Sequence, residues 1–203
     1  MASKTDIGNR AISKLGEQRV SNIDTVDIKA AKVIRYMWDS IRDLLLASFP
    51  WNFAIARTQL AKDAAAPSWG YANRYTLPSD FLALLEIKGN YDYRLESSTS
   101  GGRYILTDAG SPIYIRYIRR VTDTGEFDPL FSEAFASRLA YEGCEEITQS
   151  NTKKQILAQE YEKNISMAYA NDSIQDPPTE LQADEWINAR EHASDAIDYT
   201  RTV

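Results

Sequence analysis

A chain of 203 residues, 43% hydrophobic and 26% charged, is long enough for one ordinary domain with a real core, or one domain and an extension. No run approaches the ~20 consecutive apolar residues that cross a bilayer. The opening MASKTDIGNRAISKLG has no apolar centre of the kind a secretory signal needs, and the single Cys144 leaves no internal disulfide framework, so folding in a reducing cytosol is expected. The net charge of -6 is uneven: residues 1–51 hold 8 basic and 6 acidic side chains, 52–121 hold 9 and 6, and 122–203 hold 6 and 17. Such a split predicts different surroundings for the two ends of the chain, a solvated acidic surface being the plainer alternative.

The first helical pattern covers 5–15, with Ile7, Ala11, Ile12 and Leu15 on one face and Gly16 as a stop. The second covers 24–49. Asp24 is placed to cap it, and Ala30, Ile34, Met37, Ile41, Leu44 and Ser48 recur at spacings of three and four, widened by Val33, Trp38 and Leu45. Pro50 ends it by disfavouring the helical conformation at Phe49. About 25 residues at 1.5 Å each give a rod on the order of 37 Å long.

Between Trp51 and Val121 the pattern changes. AKDAAAPSWG reads as a loop, Tyr71–Leu77 and Leu82–Lys88 as short extended runs, and Ser97–Gly102 as a turn between two tyrosine-rich stretches. Ile113–Arg120 (IYIRYIRR) alternates and is rich in β-branched and aromatic residues, which predicts a strand. These runs predict one small antiparallel sheet inserted at about 71–121. Helical spacing returns over 128–149, opened by Asp128-Pro129 and carried by Phe131, Phe135, Leu139 and Ile147. It continues over 153–170 with Ile156, Leu157, Tyr161, Ile165 and Ala168, and the short break predicts antiparallel neighbours. Residues 172–203 are polar apart from a few isolated apolar side chains, and Pro177-Pro178 stops helical structure. This last stretch reads as an extended arm, with a short helix near Asp184–His192 as an option. The expected fold is therefore α+β and mainly α: a helical bundle with a small inserted antiparallel sheet, residues 1–171, followed by the arm.

Few residues offer chemistry. His192 is the only histidine and is remote in sequence from Cys144, so neither a Cys–His pair nor a zinc set is expected, and no cofactor motif is present. Carboxylates are plentiful. Glu142, Glu145 and Glu146 crowd one stretch of helix, with Glu142 and Glu146 sharing a face, but a solvated face explains them more simply than an acid/base pair. Arg116, Arg119 and Arg120, interleaved with Tyr114 and Tyr117, imitate a basic aromatic strand for nucleic acid. A chain of pI about 4.9 is a poor general binder of phosphates, so these arginines are expected to meet acidic groups of a neighbouring subunit or water.

Four strings resemble a known family. Ala11–Gly16 (AISKLG) precedes an Ile-Asp turn and the long helix. That helix ends in Arg42-Asp43-Leu44-Leu45, followed by Phe49-Pro50-Trp51-Asn52-Phe53-Ala54. Tyr75-Thr76-Leu77-Pro78-Ser79-Asp80 forms a YxLPxD turn, and Pro177-Pro178 is followed by Trp186-Ile187-Asn188-Ala189-Arg190. Together they resemble the tail tubular protein A family, the head-to-tail adaptors of short-tailed bacteriophages, over about residues 4–190. The resemblance implies a structural virion protein and not an enzyme, made in the host bacterial cytoplasm and carried in the virion tail. It implies a ring of twelve copies under the portal protein, with the tail nozzle docking below and DNA passing through without specific binding. No cofactor, metal or membrane is implied. The arm would reach the portal through Leu181, Trp186, Ile187 and Arg190, aromatic anchors such as Trp186 being the usual centres of such contacts. Glu142, Glu145 and Glu146 would help line the lumen, where negative charge keeps DNA from sticking. The rival readings are a tail-associated cell-wall hydrolase, which needs a carboxylate pair in a cleft, and a monomeric binding module.

Overall fold

Ser3 starts the first helix, α1 (Lys4–Lys14), with a reciprocal cap: its hydroxyl accepts the Asp6 N–H, and the Asp6 carboxylate accepts the Ser3 N–H. The fold is seen in a computed structural model that describes residues 2–89, 91–97 and 102–175. Among these residues are three further helices, α2 (Lys29–Ser48), α3 (Pro129–Thr148) and α4 (Asn151–Ile174). Six strands lie between α2 and α3: β1 (Ile55–Leu60), β2 (Asn73–Thr76), β3 (Phe81–Ile87), β4 (Tyr93–Ser97), β5 (Arg103–Thr107) and β6 (Ile113–Arg119).

The second helix begins at Lys29, five residues later than its pattern predicts, because Asp24 does not cap it; Ile28 takes that place with no side-chain bond. Its buried stripe also differs from expectation. Arg42, Leu45 and Leu46 are buried, while Leu44 is exposed. Arg42 tolerates burial because Asp39 and Asp43 each lie 2.7 Å from its guanidinium, and Asp43 also accepts from Arg120 at 2.7 Å. Asp128 and Pro129 open α3 as expected. Gln149, at φ 53°, ends it, and Ser150 caps α4, so two residues suffice to turn the chain back along α3. Contacts of Lys154 with Glu145 and of Asn164 with Ser137 fix the antiparallel register of this pair. Gly143 lets α3 lie close to α2: a Cβ there would stand 3.3 Å from Met37 Cε and 3.4 Å from Val33 Cγ1.

The four helices enclose one core built around Trp38, Leu45, Leu46, Trp51, Phe131, Phe135 and Leu139. Lys14 ties α1 to the α3–α4 pair through Glu133, at 2.7 Å, and Glu160. Burial pulls its pKa down, but the hydrogen bonds to the two carboxylates outweigh this and hold it above the ordinary lysine value.

The expectation of a helical bundle with one small sheet at about 71–121 is overturned. The strands form two three-stranded antiparallel sheets, ordered β1-β6-β3 and β2-β5-β4. The reason is the pair of strands that carry no clean alternation. β1 begins at residue 55 and gives the first sheet its third member, and β4 is exposed along its whole length, so it lacks an apolar face. The two sheets face one another across a second core of Leu60, Tyr75, Phe81, Ile87, Ile105, Ile113, Ile115 and Tyr117. Ile118 and Ala54 carry the first sheet's near end into the helical core.

Two of the strings that carry the family resemblance, Phe49–Ala54 and Tyr75–Asp80, sit at joints of this architecture. Trp51 is 1% exposed; its Nε1 donates to the Leu45 carbonyl at 2.9 Å, and its ring packs among Phe49, Phe53, Phe131 and Tyr169. In the YxLPxD turn, Tyr75 donates to the Ala109 carbonyl at 2.8 Å. Asp80 accepts from Tyr117 Oη at 3.1 Å, and its carbonyl accepts the Arg120 N–H. Helix α4 runs past residue 171 to Ile174, into the stretch read as an arm. The Asp172 side chain is buried there and accepts the Asn52 N–H at 3.2 Å, while Asn52 Nδ2 donates to the Asp172 carbonyl at 2.9 Å.

Candidate functional site

Glu142, Glu145 and Glu146 lie on the last turns of α3, and the fold separates them by partner. Glu142 meets Arg138 at 2.5 Å, one turn back on the same helix. Glu145 meets Lys154 of α4 at 2.6 Å. That hydrogen bond, with the lysine's charge in support, holds the Glu145 carboxyl below its ordinary range and raises Lys154. A carboxyl so held accepts hydrogen bonds and is ill suited to donate a proton near neutral pH. Glu146 is exposed, and its backbone carbonyl accepts from Lys29 Nζ at 2.5 Å. The three therefore do not act as one block of charge, since two of them are each matched by a cation.

The arginines in and just after β6 also find partners within the chain, where a neighbouring subunit or water was expected. Arg116 Nε lies 3.3 Å from Glu86, Arg119 pairs with Glu126, and Arg120 with Asp43 at 2.7 Å. Cys144 is buried, with Sγ 3.2 Å from Thr148 Oγ1. Among the described residues no group of three or more His, Cys, Asp or Glu side chains is arranged to hold a metal ion, and no helix is long and apolar enough to cross a membrane. Leu181, Trp186, Ile187 and Arg190, with Pro177-Pro178 and His192, lie outside the described residues.

Two surfaces emerge that sequence periodicity did not indicate. The first is the outer side of α4. Leu157, Ile165 and Ala168 are buried, but Ile156 (59% exposed), Met167 and Ile174 (82% exposed) point outward. Their spacings of 11 and 7 residues put all three on one stripe, interrupted by Lys163 and about 27 Å long. Tyr36, 88% exposed on α2, is another unburied anchor. Single exposed apolar residues need no explanation, but a stripe along one helix face does. The second is the outer face of sheet β2-β5-β4, where Leu106 lies between its cross-strand neighbours Arg74 and Arg94. Arg74 stacks 5.4 Å from the Tyr104 ring and pairs with Asp63 at 2.8 Å. With the loop bearing Trp69, 85% exposed, these residues border a groove of about 670 Å³. Both surfaces are suited to contact, being open and aromatic or aliphatic.

Compared with the models of known protein families and with curated proteins, the chain matches none.

Proposed function

We propose that the chain is a structural ring subunit, the adaptor that joins the DNA portal to the tail nozzle of a short-tailed bacteriophage. Twelve copies form the ring, which is part of the DNA exit channel, and DNA passes through it without specific binding. The starting point is the resemblance of its strings to the tail tubular protein A family. The observation that carries the reading further is the position of one string, Phe49–Ala54. Asn52 in that string is bonded to Asp172 at the end of α4. The joint between helices and sheet is thus also the root of the C-terminal segment, so a partner gripping that segment would pull directly on the best-packed part of the subunit. Self-association is supported by the outward stripe Ile156, Met167 and Ile174 and by Tyr36, since a ring needs a different patch on each side of every subunit.

In this reading Leu181, Trp186, Ile187 and Arg190 engage the portal, and the α3 end bearing Glu142, Glu145 and Glu146 faces the lumen. Because Arg138 and Lys154 offset two of those charges, Glu146 contributes most of what repulsion the α3 end supplies. Sedimentation of the chain with portal rings tests the arm. Trp186→Ala is expected to weaken co-sedimentation by about 30-fold, the loss that follows from roughly 2 kcal/mol at a buried aromatic anchor. Glu180→Ala is expected to change it less than about threefold, as a rim contact would. Equal effects of the two changes would remove Trp186 as the anchor.

A further inference from the structure

The outer face of the first sheet changes character along its length. Ile55, Ala83 and Ile118 lie level with one another, where the face meets the helices. Two residues further out, Arg57 lies directly opposite Arg116, and Glu86 flanks Arg116 from the other side. Beyond them, Gln59 lies opposite Tyr114, and Lys88 Nζ stands 5.5 Å from the Tyr114 ring. The Tyr114 side chain is 47% exposed, and the residues enclose a shallow depression of about 470 Å³.

Two like charges directly opposite on neighbouring strands destabilise a sheet unless an anion lies between or over them. Glu86 supplies only part of this. Its Oε2 is 3.3 Å from Arg116 Nε, yet that buried Nε has no hydrogen-bond acceptor among the described residues. Among the described residues, Arg57 and Lys88 make no ion pair. Three cations thus surround one misaligned carboxylate in an open depression.

The chain carries a matching partner. Residues 176–203 hold 7 acidic and 2 basic side chains and no lysine. The described fold ends at Gln175, three residues past Asp172, whose carboxylate holds the Asn52 N–H. Arg57 follows Asn52 by five residues, one short helical turn and the start of β1, so the two lie within about 17 Å of one another. A segment of 28 residues can span roughly 90 Å, so reach is no obstacle.

We infer that this face is the docking surface for the chain's own acidic C-terminal segment, with carboxylates of residues 176–185 received by Arg57, Arg116 and Lys88. Guanidinium groups bind carboxylates in paired, charge-assisted hydrogen bonds, which would complete the coordination of Arg116 that Glu86 leaves unfinished. A nucleic acid fits less well. Glu86 stands among the cations, three positive groups are few for a polyphosphate, and the chain as a whole is at -6. The inference does not depend on the adaptor reading, since both partners belong to one chain. If that reading also holds, a portal must compete with this surface for the segment.

Zero-length carbodiimide coupling of the full-length chain, followed by peptide mass spectrometry, tests it. The Lys154–Glu145 pair, 2.6 Å apart, serves as the internal control. Coupling of Lys88 to Asp176, Glu180, Asp184 or Glu185 is expected at low salt, and it should fall at least about fivefold in 1 M NaCl. A similar fall is expected in an Arg57→Ser/Arg116→Ser variant. A coupled control with Lys88 left unjoined to the segment would overturn the inference in the unaltered protein, whatever the variant does. In a mixture of ¹⁴N- and ¹⁵N-labelled chains, products joining one label to the other would overturn the same-chain assignment in favour of a second copy. Lys88 joined instead to Glu142, Glu145 or Glu146 would assign the face to a neighbour's α3.

Discussion

Trp51→Ala should cost about 3–5 kcal/mol, the range for emptying a fully buried aromatic site. The side chain is at the centre of a ring cluster, 5.0 Å from Phe49 and Phe131 and 5.3 Å from Tyr169, so its loss leaves a cavity that three elements must close at once. The indole N–H also serves the Leu45 carbonyl, in the last turn of α2, where backbone acceptors have no partner within the helix. The Ser48 hydroxyl, 2.8 Å from the same carbonyl, stays as a second donor, so losing the indole bond adds no more than about 1 kcal/mol. For a domain of this size, 1 kcal/mol moves Tm by roughly 2–4 °C, so a fall on the order of 10–15 °C is expected in a thermal melt. Trp51→Phe keeps most of the apolar volume and loses the hydrogen bond, and its Tm should lie between the two. A Trp51→Ala melt within about 3 °C of the unaltered protein would mean that the joint between helices and sheet is not held by this cluster.

Removal of residues 176–203 is expected to abolish portal attachment, with a loss of affinity exceeding about 100-fold, while Tm stays within roughly 2 °C. The cut falls beyond Gln175 and spares Asp172 with its bonds to Asn52. Cutting four residues earlier, after Asn171, is different. It removes Asp172 and leaves the Asn52 N–H without its charged acceptor, which costs about 2 kcal/mol. The pair of truncations therefore separates the segment's role in binding from the last helical turn's role in folding. Portal attachment that survives the shorter deletion would assign the contact to the folded part, with the α4 stripe as the next candidate. A large fall in Tm for the same deletion would show that the folded unit extends past Gln175.

The sequence made the helices legible because each buries a full stripe: Ile7, Ala11 and Ile12 on α1, and Phe131, Phe135 and Leu139 on α3, recur at the spacing their burial requires. The division into two sheets was not legible, for two local reasons. Along β1, Ile55 and Leu60 point to opposite faces, Ile55 level with Ile118 of the helical core and Leu60 in the second core, and Arg57 interrupts between them. In β4 no residue is buried, so there is nothing to alternate. Asp172 misled differently. A polar residue after a helical run reads as an exit, but this one is buried because a distant backbone N–H needs it. Partners of this kind are far apart in the chain, as with Asp43 and Arg120, and no local pattern encodes them.

The same limit applied to the candidate site. Glu142, Glu145 and Glu146 stand out as a string, but their pairing depends on where α4 returns. The Lys154–Glu145 contact exists because a two-residue turn folds the helices together. Arg57 attracts no notice in the sequence and acquires meaning only when strand register sets it opposite Arg116. Ile156 follows the helical spacing and still faces outward, because it adjoins Leu157, which takes the buried position.

Mass is the most direct measure of whether this chain forms a ring on a portal. Light scattering and negative-stain microscopy should be carried out on the purified chain alone and mixed with the portal ring that the adaptor proposal pairs with it. The expected result is a ring, or a portal-dependent assembly, whose added mass is roughly twelve times the 22.9 kDa of one chain. A chain that stays at the mass of a monomer and leaves the portal's mass unchanged would contradict the adaptor assignment.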